Sequence, residues 1–113
     1  MSTRGIGAMG EETAVKFLIS QGFEILDRNF QTRFGELDIV AKHGAHIVFA
    51  EVKTRGSARF ADAAESVTHA KRRRLRTVAR QWLAARAPDA PARFDVIEVY
   101  KNGEINHIPD AFE

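Results

Sequence analysis

The chain contains no cysteine. That removes disulfide bridges, thiol nucleophiles, zinc–thiolate centres and iron–sulfur clusters from consideration and restricts any metal to oxygen or imidazole ligands. No apolar run approaches the ~20 residues a bilayer-spanning helix requires. The opening stretch from Met1 to Met9 lacks the apolar centre of a secretory signal. A cytoplasmic protein with no membrane partner is the expectation. Glycine-rich phosphate loops are missing, and Ser20, Ser57 and Ser66 stand in no nucleophile-elbow pattern, so nucleotide-hydrolase and serine-hydrolase chemistry has no support. Of the histidines, His43 and His46 straddle a turn, His69 falls on an exposed helix side and His107 lies near the C-terminus, and no histidine metal site is expected.

What is present fits one compact domain over residues 1–113, with 44% hydrophobic and 28% charged residues. A net charge of +2 is too small to announce a nucleic-acid binder, but its distribution is uneven. Lys71-Arg72-Arg73-Arg74, Arg76, Arg80 and Arg86 fall in a segment with no Asp or Glu between positions 66 and 88. Helical spacing sets Arg73, Arg76, Thr77 and Arg80 opposite Leu75 and Trp82, as a basic face for phosphate contact or simply for solvation. Lys71 falls instead near the apolar stripe, where it either snorkels or reaches inward.

Periodicity and turn signals predict a helix from Gly10 to Gln21 and a strand from Phe23 to Phe30. A connection at 31–34 and two strands, Gly35 to Ala41 and His46 to Lys53, follow. A loop from Thr54 to Ala63 leads into a helix from Ala64 to Ala87 with an apolar stripe of Val67, Leu75, Val78, Ala79, Trp82 and Leu83. After Pro88 and Pro91 come strands at Arg93 to Tyr100 and Glu104 to Ile108. The expected fold is α/β, a mixed sheet with flanking helices in the order α-β-β-β-α-β-β.

Chemistry concentrates in the middle strands. With side chains alternating at period two, Glu36, Asp38 and Val40 share one face, while Leu37, Ile39 and Ala41 share the other. In the next strand Ile47, Phe49, Glu51 and Lys53 lie together. A hairpin turning at His43-Gly44, or through a four-residue loop at 43–46, puts Asp38 on the face of Glu51 and Lys53, and the longer loop sets it opposite Glu51. Two carboxylates and an ammonium on an inner face are costly unless they neutralise one another or hold an ion. Hard oxygen ligands favour Mg²⁺ or Mn²⁺, with Lys53 serving an attacking water or a phosphoryl charge. The plain alternative is a set of solvated cross-strand ion pairs, each worth ~0.2–1 kcal/mol.

This order, with Asp38 on the second strand and Glu51-x-Lys53 on the third, resembles the core of the PD-(D/E)xK nuclease superfamily, which includes restriction endonucleases and Holliday-junction resolvases. A closer resemblance is to the bacterial YraN family. It is carried by Gly10-Glu11-x-x-Ala14, Arg28-Asn29-Phe30, Gly35-Glu36-Leu37-Asp38, Val48-Phe49-x-Glu51-Val52-Lys53-x-Arg55, Arg93-Phe94-Asp95-Val96 and Ala111-Phe112. The resemblance implies Mg²⁺ held by Asp38, Glu51, the carbonyl of Val52 and Glu11, which fits the helix motif better than Glu12. It implies Lys53 at the water and Glu36 in a supporting contact or paired with Lys53. Leu37 stands where the superfamily name has proline, and Gln31 where relatives carry arginine. That leaves Arg33 and Arg55, with Lys71, Arg73, Arg76 and Arg80, as phosphate contacts.

The implied activity is Mg²⁺-dependent endonucleolytic hydrolysis of nucleic acid, with DNA of branched, nicked or single-stranded structure as substrate. Symmetric cutting would suit a homodimer. No helix-turn-helix or zinc finger reads sequence, in keeping with structure-directed binding. A nucleic-acid-binding accessory protein that keeps the fold and delivers its ligand to a partner is the alternative. An interaction module with an incidental ion-pair hairpin is a third.

Overall fold

A computed structural model describes residues 3–56 and 67–112, with side chains from Met9 onward. The elements are α1 (Thr3–Ser20), β1 (Glu24–Thr32), β2 (Gly35–His43), β3 (His46–Arg55), α2 (His69–Arg86), β4 (Ala92–Tyr100) and β5 (Ile105–Phe112). The five strands form one sheet in sequence order. β3 and β4 run parallel because α2 carries the chain back across the sheet, and the other pairs are antiparallel. The α-β-β-β-α-β-β order and the mixed sheet are those expected from the sequence.

Each helix covers one face. Ala14, Val15 and Leu18 of α1 pack on Ile39, Ala41, Val48, Ala50 and Ile97. Leu75, Val78, Ala79 and Trp82 of α2 pack on Leu37, Val40, Ile47, Phe49 and Val96. β3 therefore sends Ile47 and Phe49 to α2 and Val48 and Ala50 to α1, apolar on both sides as a parallel-paired central strand must be. Burying such side chains contributes roughly 1.5–3 kcal/mol each.

Several boundaries move. α1 begins at Thr3 rather than Gly10, so Gly10 is interior to the helix. A Cβ there would lie 2.2 Å from Thr54 Cγ2, so glycine lets α1 settle close against β3. α2 begins at His69 rather than Ala64. Thr68 is extended and caps the helix, its side chain accepting from Lys71 N–H at 3.2 Å. Val67, expected on the helical stripe, is buried just ahead of the cap. The expected loop from Thr54 to Ala63 starts later, since β3 runs on through Arg55, and its part from Ser57, like the helix start expected at Ala64, lies outside the described residues. The connection at 31–34 shrinks to a turn at Arg33-Phe34, and β5 continues through Pro109 to Phe112, which an edge strand tolerates.

The β2–β3 turn falls at Gly44-Ala45, one residue beyond the tight turn considered above, with Gly44 at φ +60°. Its register pairs Ile39 with Ala50 and His43 with His46. Continued by one residue, that register sets Asp38 opposite Glu51.

Simple alternation fails in β2. Leu37 joins the cluster under α2 while Ile39 joins the cluster under α1, although both were expected on one face. The switch lies opposite a special residue of β1: Asn29, between the Arg28–Ile39 and Phe30–Leu37 pairs, has φ +54°. A left-handed residue turns the following side chain to the other face, and asparagine tolerates that conformation better than most. Arg28 accordingly meets α1 while Phe30 packs under α2. Asp38 sits at this switch point. No described helix is long and apolar enough to cross a membrane.

Candidate active site

At the switch point the carboxylate of Asp38 accepts the N–H of Val52 through Oδ2 at 2.9 Å, which ties β2 to β3 where the ladder opens. Burial, then the neighbouring charge of Glu51, pushes the Asp38 carboxyl up to about 7, against the opposing effect of that N–H and of Lys71. Glu51 is itself buried, and Lys71 Nζ lies 3.0 Å from its Oε1. The inward reach of Lys71 follows from α2 packing on the Glu51 side of the sheet.

Lys53 completes the group. Burial, then a hydrogen bond and charge repulsion from Lys71, lowers the Lys53 ammonium below its usual range, although Glu51 and Asp38 oppose the shift. For Lys71 burial acts downward too, but Glu51 outweighs it and the net direction is upward. The two amines thus differ: the charge of Lys71 is favoured by Glu51, while Lys53 is the one made easier to deprotonate.

Glu11 comes from α1. Its Oε1 accepts from Asn29 Nδ2 at 2.9 Å and Arg28 Nε at 3.4 Å, while Arg28 also meets Glu12 at 3.1 Å. Burial, then the charge of Asp38, raises the Glu11 carboxyl, against Asn29 and Arg28. Asp38 is therefore in electrostatic contact with Glu11 as well as with Glu51. Among the described residues, no three His, Asp or Glu side chains gather closely enough to form a complete ligand set for a metal. Two carboxylates can suffice for Mg²⁺, which completes its shell with waters and substrate phosphate. On that chemistry Asp38 and Glu51 fit the ion, and Lys71 already supplies a positive charge to Glu51.

The remaining predicted positions scatter. Glu36 accepts from Gln31 Nε2 through Oε2 at 2.7 Å, and its charge adds to the upward push on Asp38. Arg33 is exposed and lies over the Phe34 ring. Arg73 and Arg80 are exposed on α2 and Arg76 is half-buried there. Arg55 turns to Glu98, Nε to Oε2 at 3.1 Å.

The model of a family described as "Uncharacterised protein family UPF0102" matches residues 10–99. The chain belongs to this family. A UPF0102 protein of Caldicellulosiruptor saccharolyticus is 47% identical over 118 residues, covering 99% of this chain and 100% of the relative. One from Geobacter metallireducens is 45% identical over 117 residues, covering 100% of this chain and 96% of the relative. UPF0102 is the YraN family whose motifs were recognised in the sequence. The UPF0102 match takes in Glu11, Asp38, Glu51, Lys53 and Lys71.

It also spans two buried acids on β4 to which sequence reasoning gave no role, Asp95, quoted only within a motif, and Glu98. Asp95 is held by Arg93 Nε at 3.0 Å, His107 Nε2 at 2.7 Å and the Asp110 N–H at 3.0 Å, which ties β4 to β5 beside their register shift. Glu98 accepts from Arg55 and from Asn106 Nδ2 at 2.8 Å. The available signal was an acid at each of two positions in a stretch, Phe94 to Val99, that is otherwise apolar, where an unpartnered charge would be untenable.

Proposed function

We propose that this protein is a metal-dependent endonuclease that hydrolyses phosphodiester bonds in nucleic acid, with structured DNA as its substrate. The observation that carries this reading is the convergence of Asp38, Glu51, Lys53 and Lys71 where β2 and β3 part. Structural ion pairs need neither two adjoining acids nor two adjoining amines, whereas phosphoryl transfer needs both an anionic cradle and a positive surround. Mg²⁺ or Mn²⁺ held by Asp38 and Glu51, with the Val52 carbonyl and Glu11 as the further ligands, would supply charge neutralisation at the phosphate.

The protein's own groups do the rest. Lys53 Nζ orients the attacking water and takes its proton as the oxygen joins phosphorus and the bond to the leaving sugar oxygen breaks. Lys71 holds Glu51 in place and adds positive charge. Arg55, Arg33 and the α2 arginines Arg73, Arg76 and Arg80 draw in the polynucleotide backbone. The setting is cytoplasmic, and a homodimer would place two such sites for paired cuts.

A second reading is favoured by one observation: Lys71 sits on Glu51, where a metal would otherwise bind. On that reading the protein is an accessory nucleic-acid binder that serves a partner and cuts little. Cleavage of labelled single-stranded, duplex, flap and four-way-junction DNA, and of RNA, with Mg²⁺ or Mn²⁺ separates the two. Products from wild type that vanish with Glu51→Ala and Lys53→Ala establish the nuclease. Metal-independent binding with no products in any of the three proteins establishes the accessory role.

A further inference from the structure

Among the described residues, Nη2 of Arg55 is a buried nitrogen with no hydrogen-bond partner. Such unpaired buried donors are rare in folded proteins. One edge of the guanidinium is anchored. Nε donates to Glu98 Oε2 at 3.1 Å, and Glu98, 2% exposed, is in turn held by Asn106 and by the Tyr100 hydroxyl. Arg55 also borders a cavity of about 550 Å³ on the α1 side of the sheet, lined by Met9, Thr13, Thr54, Tyr100 and Lys101 among others.

We propose that Arg55, oriented by Glu98, is the subsite for the backbone phosphate next to the one being cut. Arg55 follows Lys53 by two residues on β3, so the two side chains are one pleat repeat, ~6.6 Å, apart along the strand. That step is close to the separation of successive phosphates on a polynucleotide. A planar guanidinium with one edge committed to Glu98 presents its remaining N–H groups in a fixed direction, which a lysine in its place cannot do. Glu98 is a positioning residue: it touches Arg55 and not the phosphate. The subsite rests on the reading of Asp38, Glu51 and Lys53 as the cutting site.

The experiment uses the full chain and a labelled single-stranded oligonucleotide, with Ca²⁺ present in place of Mg²⁺ and binding measured across a salt series. A parallel titration with inorganic phosphate follows the Arg55 Nε–H signal by NMR. Arg55→Gln is expected to flatten the slope of log K against log[salt] by about one and to weaken binding about tenfold near 0.1 M salt. Glu98→Gln is expected to match it without adding to it, Arg55→Lys not to restore binding, and an oligonucleotide with one methylphosphonate to bind Arg55→Gln and wild type alike. Should Glu98→Gln fail to fold, Arg55→Gln and the modified oligonucleotide carry the test.

An unchanged slope in Arg55→Gln overturns the subsite. So does an Arg55 signal that moves with inorganic phosphate while every methylphosphonate position leaves binding unchanged, because the site would then take free phosphate. Wild type that shows the expected binding signature but cuts nothing with Mg²⁺ overturns the nuclease reading while supporting the phosphate contact. Cutting that survives Arg55→Gln at full rate and affinity overturns the subsite alone.

Discussion

Lys71 Nζ stands 3.0 Å from Glu51 Oε1, an ammonium from the first turn of α2 laid against a buried acid of β3. A cation entering this site competes with a charge already there. Lys71→Met is expected to raise Mn²⁺ affinity on the order of tenfold, about 1.4 kcal/mol, and to weaken nucleic-acid binding. Titration calorimetry with Mn²⁺ decides it: unchanged or weaker metal binding in the variant refutes the competition.

Asp38 makes stability depend on pH. Its carboxyl has an ordinary value of 3.8 and is pushed up to about 7 in the fold, so between those values the folded protein holds more protons than the unfolded chain. Its contribution is complete below about pH 4 and is lost as pH rises towards 7. Asp38→Asn keeps an acceptor for the Val52 N–H and removes the charge. The metal-free variant is expected to be more stable than wild type at pH 8 by on the order of 1–3 kcal/mol, with little difference at pH 4. Urea denaturation at the two pH values tests this, and equal gains at both would count against it.

Lys53 is expected to act through its ability to lose a proton. Lys53→Ala should lower the cleavage rate by about 10²–10⁴. Lys53→Arg keeps the positive charge but cannot give up its proton, and should restore little. A pH–rate profile in which Lys53→Arg matches wild type would reduce Lys53 to an electrostatic role.

The Asp95 cluster shows the opposite linkage. Burial disfavours its charge, but His107, Arg93 and the Asp110 N–H outweigh burial and hold the carboxyl below its usual range. Its contribution is present at neutral pH and lost as pH falls below about 4. Asp95→Ala leaves Arg93 without its buried partner and is expected to cost about 3–5 kcal/mol at pH 7 and less at pH 3, with β5 freed from β4. Thermal unfolding at the two values measures the difference. An equal loss at both would mean that packing, and not charge, holds this end of the sheet.

Much of this was readable along the chain, because secondary structure leaves periodic marks. The alternation in β3 separated Ile47 and Phe49 from Val48 and Ala50, and the structure sends the two sets to opposite helices. The β2 pattern misled because alternation assumes an unbroken pleat, and here the pleat breaks opposite Asn29, which has a positive φ. Thr68 caps the start of α2 four residues after the expected start at Ala64, since a cap is decided by whether the hydroxyl meets the Lys71 N–H.

Residue types and local period determined the order of elements and the presence of two acids and a lysine near one hairpin. Those follow from interactions a few residues apart. Tertiary structure alone decided that Lys71 lands on Glu51, twenty residues earlier, and that Glu98 grips Arg55 from the next strand. The same holds for Glu11, which meets Asn29 from across the α1–β1 interface. Charge pairing acts through space and at short range, so it is set by how α1 and α2 pack on the sheet and carries no period along the sequence.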